Sequence, residues 1–319
     1  MHVDPALRAL AADGVAQAEA QDRVLAARDG WQAFEDVARI LADCEAYAEG
    51  AALPECAALA ELMAGRCAPG FVQGWIADMV RAWRAAPLAQ LPFRHSYTNG
   101  TGVIHLHRTG RVTLALLLIE PRAAMRPVTI TFTDCERREV VLAGEGAGMA
   151  YRFDGRVAPI ARPLALSPGT TLACDVRHSR AVIALDTPLV VLRVSRDPVD
   201  PQTTREVEIA SGRIVHRASA SPAEGRAELA AALLGAMGRV DAAPVLARYA
   251  RGACGKAGEG ARWQALRIAL ALETATGFAA LREIAGREVD PLACQAGALQ
   301  RQLCTTYPQL ANMVETHAS

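Results

Sequence analysis

The sequence predicts an α+β chain in which a central all-β barrel or jelly roll sits between two helical regions. Three observations carry this expectation. Apolar residues recur at helical spacing up to about residue 90 and again from about residue 218. Between them the helical period disappears, and β-branched residues gather in short runs separated by turn signals. No glycine-rich phosphate loop follows any of those runs, so a nucleotide-binding parallel sheet has no foothold. The expected domains are a helical region over 1–90, a barrel over 91–217 and a second helical region over 218–319.

The 319 residues give room for two or three domains at roughly 100–150 residues each. Hydrophobic residues make up 51% of the chain and aromatics only 5%, so the core rests on Leu, Val, Ile and Ala. Lys+Arg and Asp+Glu balance at 34 each. That balance removes any overall electrostatic case for nucleic acid or an anionic membrane. The longest apolar run, 112–119, falls far short of the ~20 residues that a spanning helix needs. No signal peptide is read at the start, and a cytoplasmic protein is expected. The eight cysteines (44, 56, 67, 135, 174, 254, 294 and 304) include no C-x-x-C pair, and most sit beside alanines in helical contexts. Reduced core thiols are expected.

Asp4-Pro5 caps a first helix carrying Leu7, Leu10, Ala11 and Val15. A second helix is expected over 30–48, with Trp31, Phe34, Val37, Ile40 and Leu41 on one stripe. Leu53-Pro54 ends it, a third spans 55–63, and Ala68-Pro69-Gly70 breaks that in turn. A fourth presents Phe71, Trp75, Met79, Val80 and Trp83, a stripe suited to packing on a neighbouring domain. Strands are expected at 102–107, 111–119, 127–132, 139–142, 150–153, 163–166, 171–175, 181–185, 188–195 and 206–217, the last folded at Ser211-Gly212. Short strands with turns this frequent indicate a sandwich, jelly roll or small barrel. Helices return near 223–237, 241–251, 260–274, 276–285 and 290–305. The segment 290–299 resembles the second helix of a HEAT-type repeat, with an ordinary helical bundle as the alternative.

The stretch Val140-Val141-Leu142-Ala143-Gly144-Glu145-Gly146 is similar to the strand and turn that close the first motif of cupins. The pattern continues through Leu166-Ser167-Pro168-Gly169-Thr170-Thr171-Leu172, then His178-Ser179, then Asp186-Thr187-Pro188-Leu189-Val190. The resemblance covers 121–195 and implies a double-stranded β-helix barrel. In that family the first motif supplies two histidines and an acid to a metal. The matching positions here are Thr131, Thr133 and Arg137, none of which replaces imidazole or carboxylate. His178 falls near the second motif's histidine, two residues closer to its glycine than usual. The resemblance therefore implies the barrel without its usual metal site.

A competing constellation exists. His105-Leu106-His107 puts two imidazoles on the same face of a strand, since side chains alternate with period 2. With His178, and His95 or Glu120 as a fourth group, they would form a relocated site for Fe2+ or Zn2+. Cys135 and Cys174 have no sequence-readable base and are read as packing. Asp134, Glu136, Arg137 and Arg138 are read as a charged loop, and Arg94, His95 and Tyr97 as a solvated one. Two functions follow. The first is a cupin-like binding or scaffolding protein, with a small-molecule ligand in the barrel and a protein partner or second copy on the helical flanks. The alternative is a metal-dependent oxygenase or isomerase acting on a small polar substrate through His105, His107 and His178. A regulator with a sensing barrel is third, because no stretch reads as a basic recognition helix. No other cofactor is indicated.

Overall fold

The structure, a computed structural model, describes residues 14–219, 222–253 and 258–312. The helical positions Leu7, Leu10 and Ala11, and Cys254, lie outside them. The chain divides into two compact units, Met1–Pro201 with Glu206–Val215, and Gln202–Arg205 with His216–Ser319.

The first unit opens with helices α1 (Val15–Gln32), α2 (Glu35–Glu49), α3 (Ala57–Met63) and α4 (Ala68–Ala85). Two details depart from the periodicity. The stripe from Trp31 to Leu41 is not one helix, because Phe34 adopts φ −60° and ψ 133° and restarts the chain as the cap of α2. Ala68-Pro69-Gly70 opens α4 rather than breaking a helix: proline is harmless in the first turn, where its missing N–H has no intrahelical partner.

Strands follow as β1 (His95–Thr98), β2 (Thr101–Thr109), β3 (Val112–Ile119), β4 (Thr129–Phe132), β5 (Glu136–Ala143) and β6 (Gly146–Arg152). They continue as β7 (Ile160–Leu166), β8 (Thr171–Cys174), β9 (His178–Leu185), β10 (Leu189–Arg196), β11 (Thr204–Glu208) and β12 (Ile214–Ala218). One sheet has the order β1-β2-β3-β10-β5-β8, and another runs β7-β6-β9. β4, which pairs with β11, lies beside β9, where Ser179 Oγ donates to the Thr131 carbonyl at 2.6 Å. Setting the β1–β2 hairpin aside, β3-β10-β5-β8 faces β4-β9-β6-β7. That order is the jelly roll, the cupin-like barrel.

Alternation sorts the side chains into three layers. Ala115, Leu117, Val141, Leu166, Leu185 and Val191 fill the space between the two sheets. The opposite parity, Leu114, Leu116, Val140, Leu192 and Val194, packs with Trp31, Tyr47, Leu62 and Trp75 of the helices into one core. Ile130, Phe132, Tyr151, Phe153 and Val207 cover the outside of the second sheet. Each fully buried aliphatic chain contributes roughly 1.5–3 kcal/mol by leaving water.

The second unit holds α5 (Pro222–Ala236), α6 (Ala243–Ala250), α7 (Glu259–Leu272), α8 (Thr274–Ala285), α9 (Ala293–Thr306) and α10 (Gln309–Asn312). Leu246, Leu266, Phe278, Leu281 and Ile284 form its core. Buried Arg262 bridges it, donating to the Ala250 carbonyl at 2.8 Å and pairing with Asp290 at 2.5 Å. Among the described residues no helix is long and apolar enough to cross a membrane.

Candidate functional site

Cross-strand partners share a face of the sheet, so the register lays out the inner wall of the barrel. On the first sheet one row runs Arg108, Thr113, Ser195, Arg137, Cys174. The next runs His105, Ala115, Arg193, Glu139, Leu172. Below them come Val103, Leu117, Val191 and Val141. On the second sheet the rows are Ile160, Arg152, His178, then Arg162, Ala150, Arg180, then Leu164, Gly148, Val182. Both walls therefore change from apolar to cationic at the same level. The lower half is a closed hydrocarbon floor, and the upper half carries arginine.

At the centre of the cationic half Glu139, 2% exposed, lies between two guanidinium groups. Arg180 Nε donates to its Oε2 from the opposite sheet. Arg193 donates to Oε1 through Nε at 2.6 Å and through Nη2 at 2.5 Å. Burial alone would push the Glu139 carboxyl up, but the two arginines outweigh it and hold it below the usual carboxylate range. For Arg193 burial dominates, and Arg137 and Arg180 add repulsion, so its pKa is lowered even though Glu139 opposes them. Arg137 Nε is buried and has no hydrogen-bond partner among the described residues.

The two barrel cysteines are inert. Burial, with Asp197 beside it, pushes the Cys135 thiol up to about 12. Burial and Glu139 raise Cys174 against the pull of three arginines. Neither supplies a thiolate at neutral pH.

Among the described residues the structure does not gather His105, His107 and His178 into one group of metal ligands. The physical reason is a β-bulge: the register of β2 on β3 shifts between His105 and His107, so Leu106 is an extra residue and the period of two fails. His105 pairs with Ala115 and keeps the inner face, near Arg94 and Arg108. His107 pairs with Leu114, whose side chain packs in the helix-facing core, and lies near Glu45 of α2 with its Nε2 buried and unpartnered. His178 stands at the half-exposed start of β9, its Nδ1 2.9 Å from Asp175 Oδ1. His95 Nδ1 is 2.9 Å from its neighbour Phe93's carbonyl oxygen, and Glu120 accepts from Tyr97 at 2.6 Å. Among the described residues no group of three His, Cys, Asp or Glu side chains converges as metal ligands do. The cupin motif positions do not fit a metal either. Thr131 and Thr133 offer neutral hydroxyls, and Arg137 brings a cation.

His107 carries a pH dependence. Burial lowers its pKa, with Glu45 opposing. A depressed folded-state value means that the unfolded chain takes up the proton first, so this residue's contribution is lost as pH falls through about 6.5. His105 behaves alike through burial, Arg94 and Arg108. The lowered carboxyls act only at more acid pH. Thermal unfolding between pH 7.5 and 5.5 is expected to show a falling Tm in the parent and a shallower fall in His107→Leu. An unchanged slope in that variant would mean that His107 is solvated.

A cleft of about 910 Å³ opens elsewhere, among the N-terminal helices, beside Trp31, Phe34, Ile40 and Phe71. Its carboxylates are engaged: Asp36 with Arg39, Glu61 with Arg66, Asp43 with the Leu59 N–H, and Glu55 with the Ala52 N–H. The charged chemistry lies in the barrel instead. Sequence reasoning passed over Glu139, Arg152, Arg162, Arg180 and Arg193. Their signal was present in the alternation itself, since Arg193 interrupts an apolar strand on the parity of Val191.

No family model matches the chain, and no curated protein matches it. Solved structures similar to part of it include the capsular polysaccharide assembling protein CapF from Staphylococcus aureus (14% identity, 35% of this chain, 32% of that one, TM-score 0.28). Others are a Lactobacillus farciminis oxalate decarboxylase (15%, 36% and 36%, TM-score 0.27) and a Desulfitobacterium hafniense cupin superfamily protein (14%, 32% and 83%, TM-score 0.24). The chain spans about a third of the length of CapF.

Proposed function

We propose that this cupin-like chain is a binding protein whose barrel holds a small molecule on its inner wall without the metal that cupins ordinarily use. The observation behind this is the substitution at the motif. Three ligand positions are Thr131, Thr133 and Arg137, and the wall around them carries several arginines, with Glu139 held between two of them. A metal-dependent oxygenase or isomerase would require His105, His107 and His178 to share one ion, and the bulge at Leu106 turns His107 toward the helices. The helical regions are proposed to carry contact with a protein partner or a second copy.

The test is elemental analysis of untagged protein, followed by titration with Fe2+ and Zn2+. Less than a tenth of an equivalent of bound metal is expected, as a rough threshold for adventitious ions in a protein lacking three convergent ligands. The His105→Ala/His107→Ala double variant should change nothing in that measurement. Stoichiometric iron or zinc lost in the double variant would sink the reading.

A further inference from the structure

We propose that the cationic half of the barrel is a binding site for a compact oxyanion of two or more charges, a phosphomonoester or a dicarboxylate. This names the ligand class for the binding reading above and rests on it. The ionisable residues of the paired barrel strands whose register faces the interior are Arg108, Arg137, Arg152, Arg162, Arg180 and Arg193, His105 and His178, and the acid Glu139. Glu206 of β11, on the parity opposite Val207, accepts from Thr129 Oγ1 at 2.6 Å. The nearby carboxylate Asp175 is taken up by His178 and by the N–H groups of Arg177 and His178. Asp197 lies beyond β10, beside Cys135.

The deepest part of this surface is the most informative. Arg180 and Arg193 use both oxygens of a single carboxylate, and Arg137, one row away on the same face of β5, lies near enough to Arg193 to repel it. Three cations against one anion leave two positive charges in a confined space, and Arg137 has no ion-pair partner among the described residues. Arg137 is partly exposed, but its Nε–H is buried without an acceptor among the described residues, and an unpaired buried N–H is costly. An oxyanion on Arg137 would supply the missing acceptor and the missing charge together. Guanidinium groups also match carboxylate and phosphate oxygens in paired, planar hydrogen bonds, which lysine does not.

Size follows from the walls. The hydrocarbon floor of Leu117, Val141 and Val191 closes the site immediately below Glu139. Facing sheets stand about 10 Å apart, so the ligand is short. Arg152 and Arg162 are exposed at the open end, where they attract the anion and contact whatever extends from it.

Isothermal titration calorimetry on the full chain, with inorganic phosphate, malonate and acetate as separate probes, tests this. One-to-one binding of phosphate, malonate or both is expected, at least about tenfold tighter than acetate and weakening with added salt. Phosphate alone would assign the phosphomonoester, and malonate alone the dicarboxylate. Arg137→Gln should weaken binding by about tenfold or more. Should that variant fail to fold, Arg152→Gln at the exposed mouth should weaken it by about threefold and reduce the salt dependence. Silence of both multivalent anions up to about 10 mM, or binding unchanged in folded Arg137→Gln, overturns the proposal. Metal analysis on the same sample separates the failures. A metal-free, anion-silent protein defeats only the oxyanion assignment, whereas a metal-loaded one defeats the binding reading beneath it.

Discussion

Glu139→Gln is expected to destabilise the barrel by about 3–5 kcal/mol, because it removes the one anion from a buried group of cations. For a unit of this size that corresponds to a fall in Tm of about 6–20 °C. Glutamine keeps the shape, but its one oxygen can accept from only one arginine while its amide NH2 faces the other as a second donor, so the loss reports charge and hydrogen bonding rather than a cavity. Arg180 and Arg193, with side chains 11% and 25% exposed, would then be left facing each other and Arg137. The pH dependence makes the assignment specific. Arginine proximity holds the Glu139 carboxyl low, so its stabilising contribution is present above the unfolded value near 4.5 and is lost as pH falls through the folded one. The gap between parent and variant should therefore be full at pH 7 and close progressively below pH 4.5. A compensating variant completes the argument. Replacing the triad together, with Glu139→Leu, Arg180→Met and Arg193→Met, should recover most of the loss, since apolar groups of similar volume leave nothing unpaired. Thermal unfolding followed by circular dichroism reads all three proteins. A change of less than about 2 °C for Glu139→Gln would show that the triad is open to water.

The difference between what the sequence disclosed and what it hid follows the range of the interactions. Strand runs such as 112–119 and 189–196 declare themselves through β-branched and leucine content, and glycine-containing turns punctuate them. β1 escaped because His95, Ser96, Tyr97 and Thr98 are all exposed and have no apolar alternation. Only the Asn99-Gly100 turn, with φ 51° and 72°, folds that segment back onto β2 as a hairpin. The bulge at Leu106 leaves no trace in composition, yet it decides which way His107 points. The Glu139 cluster was hidden for a different reason. Its partners Arg180 and Arg193 stand 41 and 54 residues away along the chain, so no local spacing relates them. The cupin-like motif, by contrast, is a local pattern, and Arg137 could be placed on it from sequence alone. What could not be foreseen is that Arg137 joins other arginines across the barrel.

Gly144→Ala is expected to be about as damaging, through backbone rather than charge. The glycine closes β5 with φ +92°, a conformation that residues with a Cβ rarely adopt. A Cβ built there would stand 2.3 Å from the Pro188 carbonyl oxygen and 2.8 Å from the Leu189 Cα, both backbone atoms that no rotamer change can move. The surrounding turns are fastened together: the Glu145 N–H donates to Thr187 Oγ1 at 3.0 Å, and the Asp186 N–H donates to the Glu145 carbonyl at 3.2 Å. Relieving the clash means separating this turn from the one between β9 and β10. That separation would open the apolar floor at Leu185, Leu189 and Val191. Gly169→Ala is the matched control, because its φ of +88° is almost the same while nothing lies within 4 Å of the added Cβ. The control isolates the conformational cost, about 1 kcal/mol. Gly144→Ala adds the steric one and should reach roughly 4 kcal/mol or leave the barrel unfolded. Urea unfolding of the two variants and the parent gives the comparison directly, as a shift in midpoint at constant slope. Equal midpoints for the two alanine variants would mean that the β5–β6 turn does not pack against Pro188, and the closed floor beneath the arginines would lose its basis.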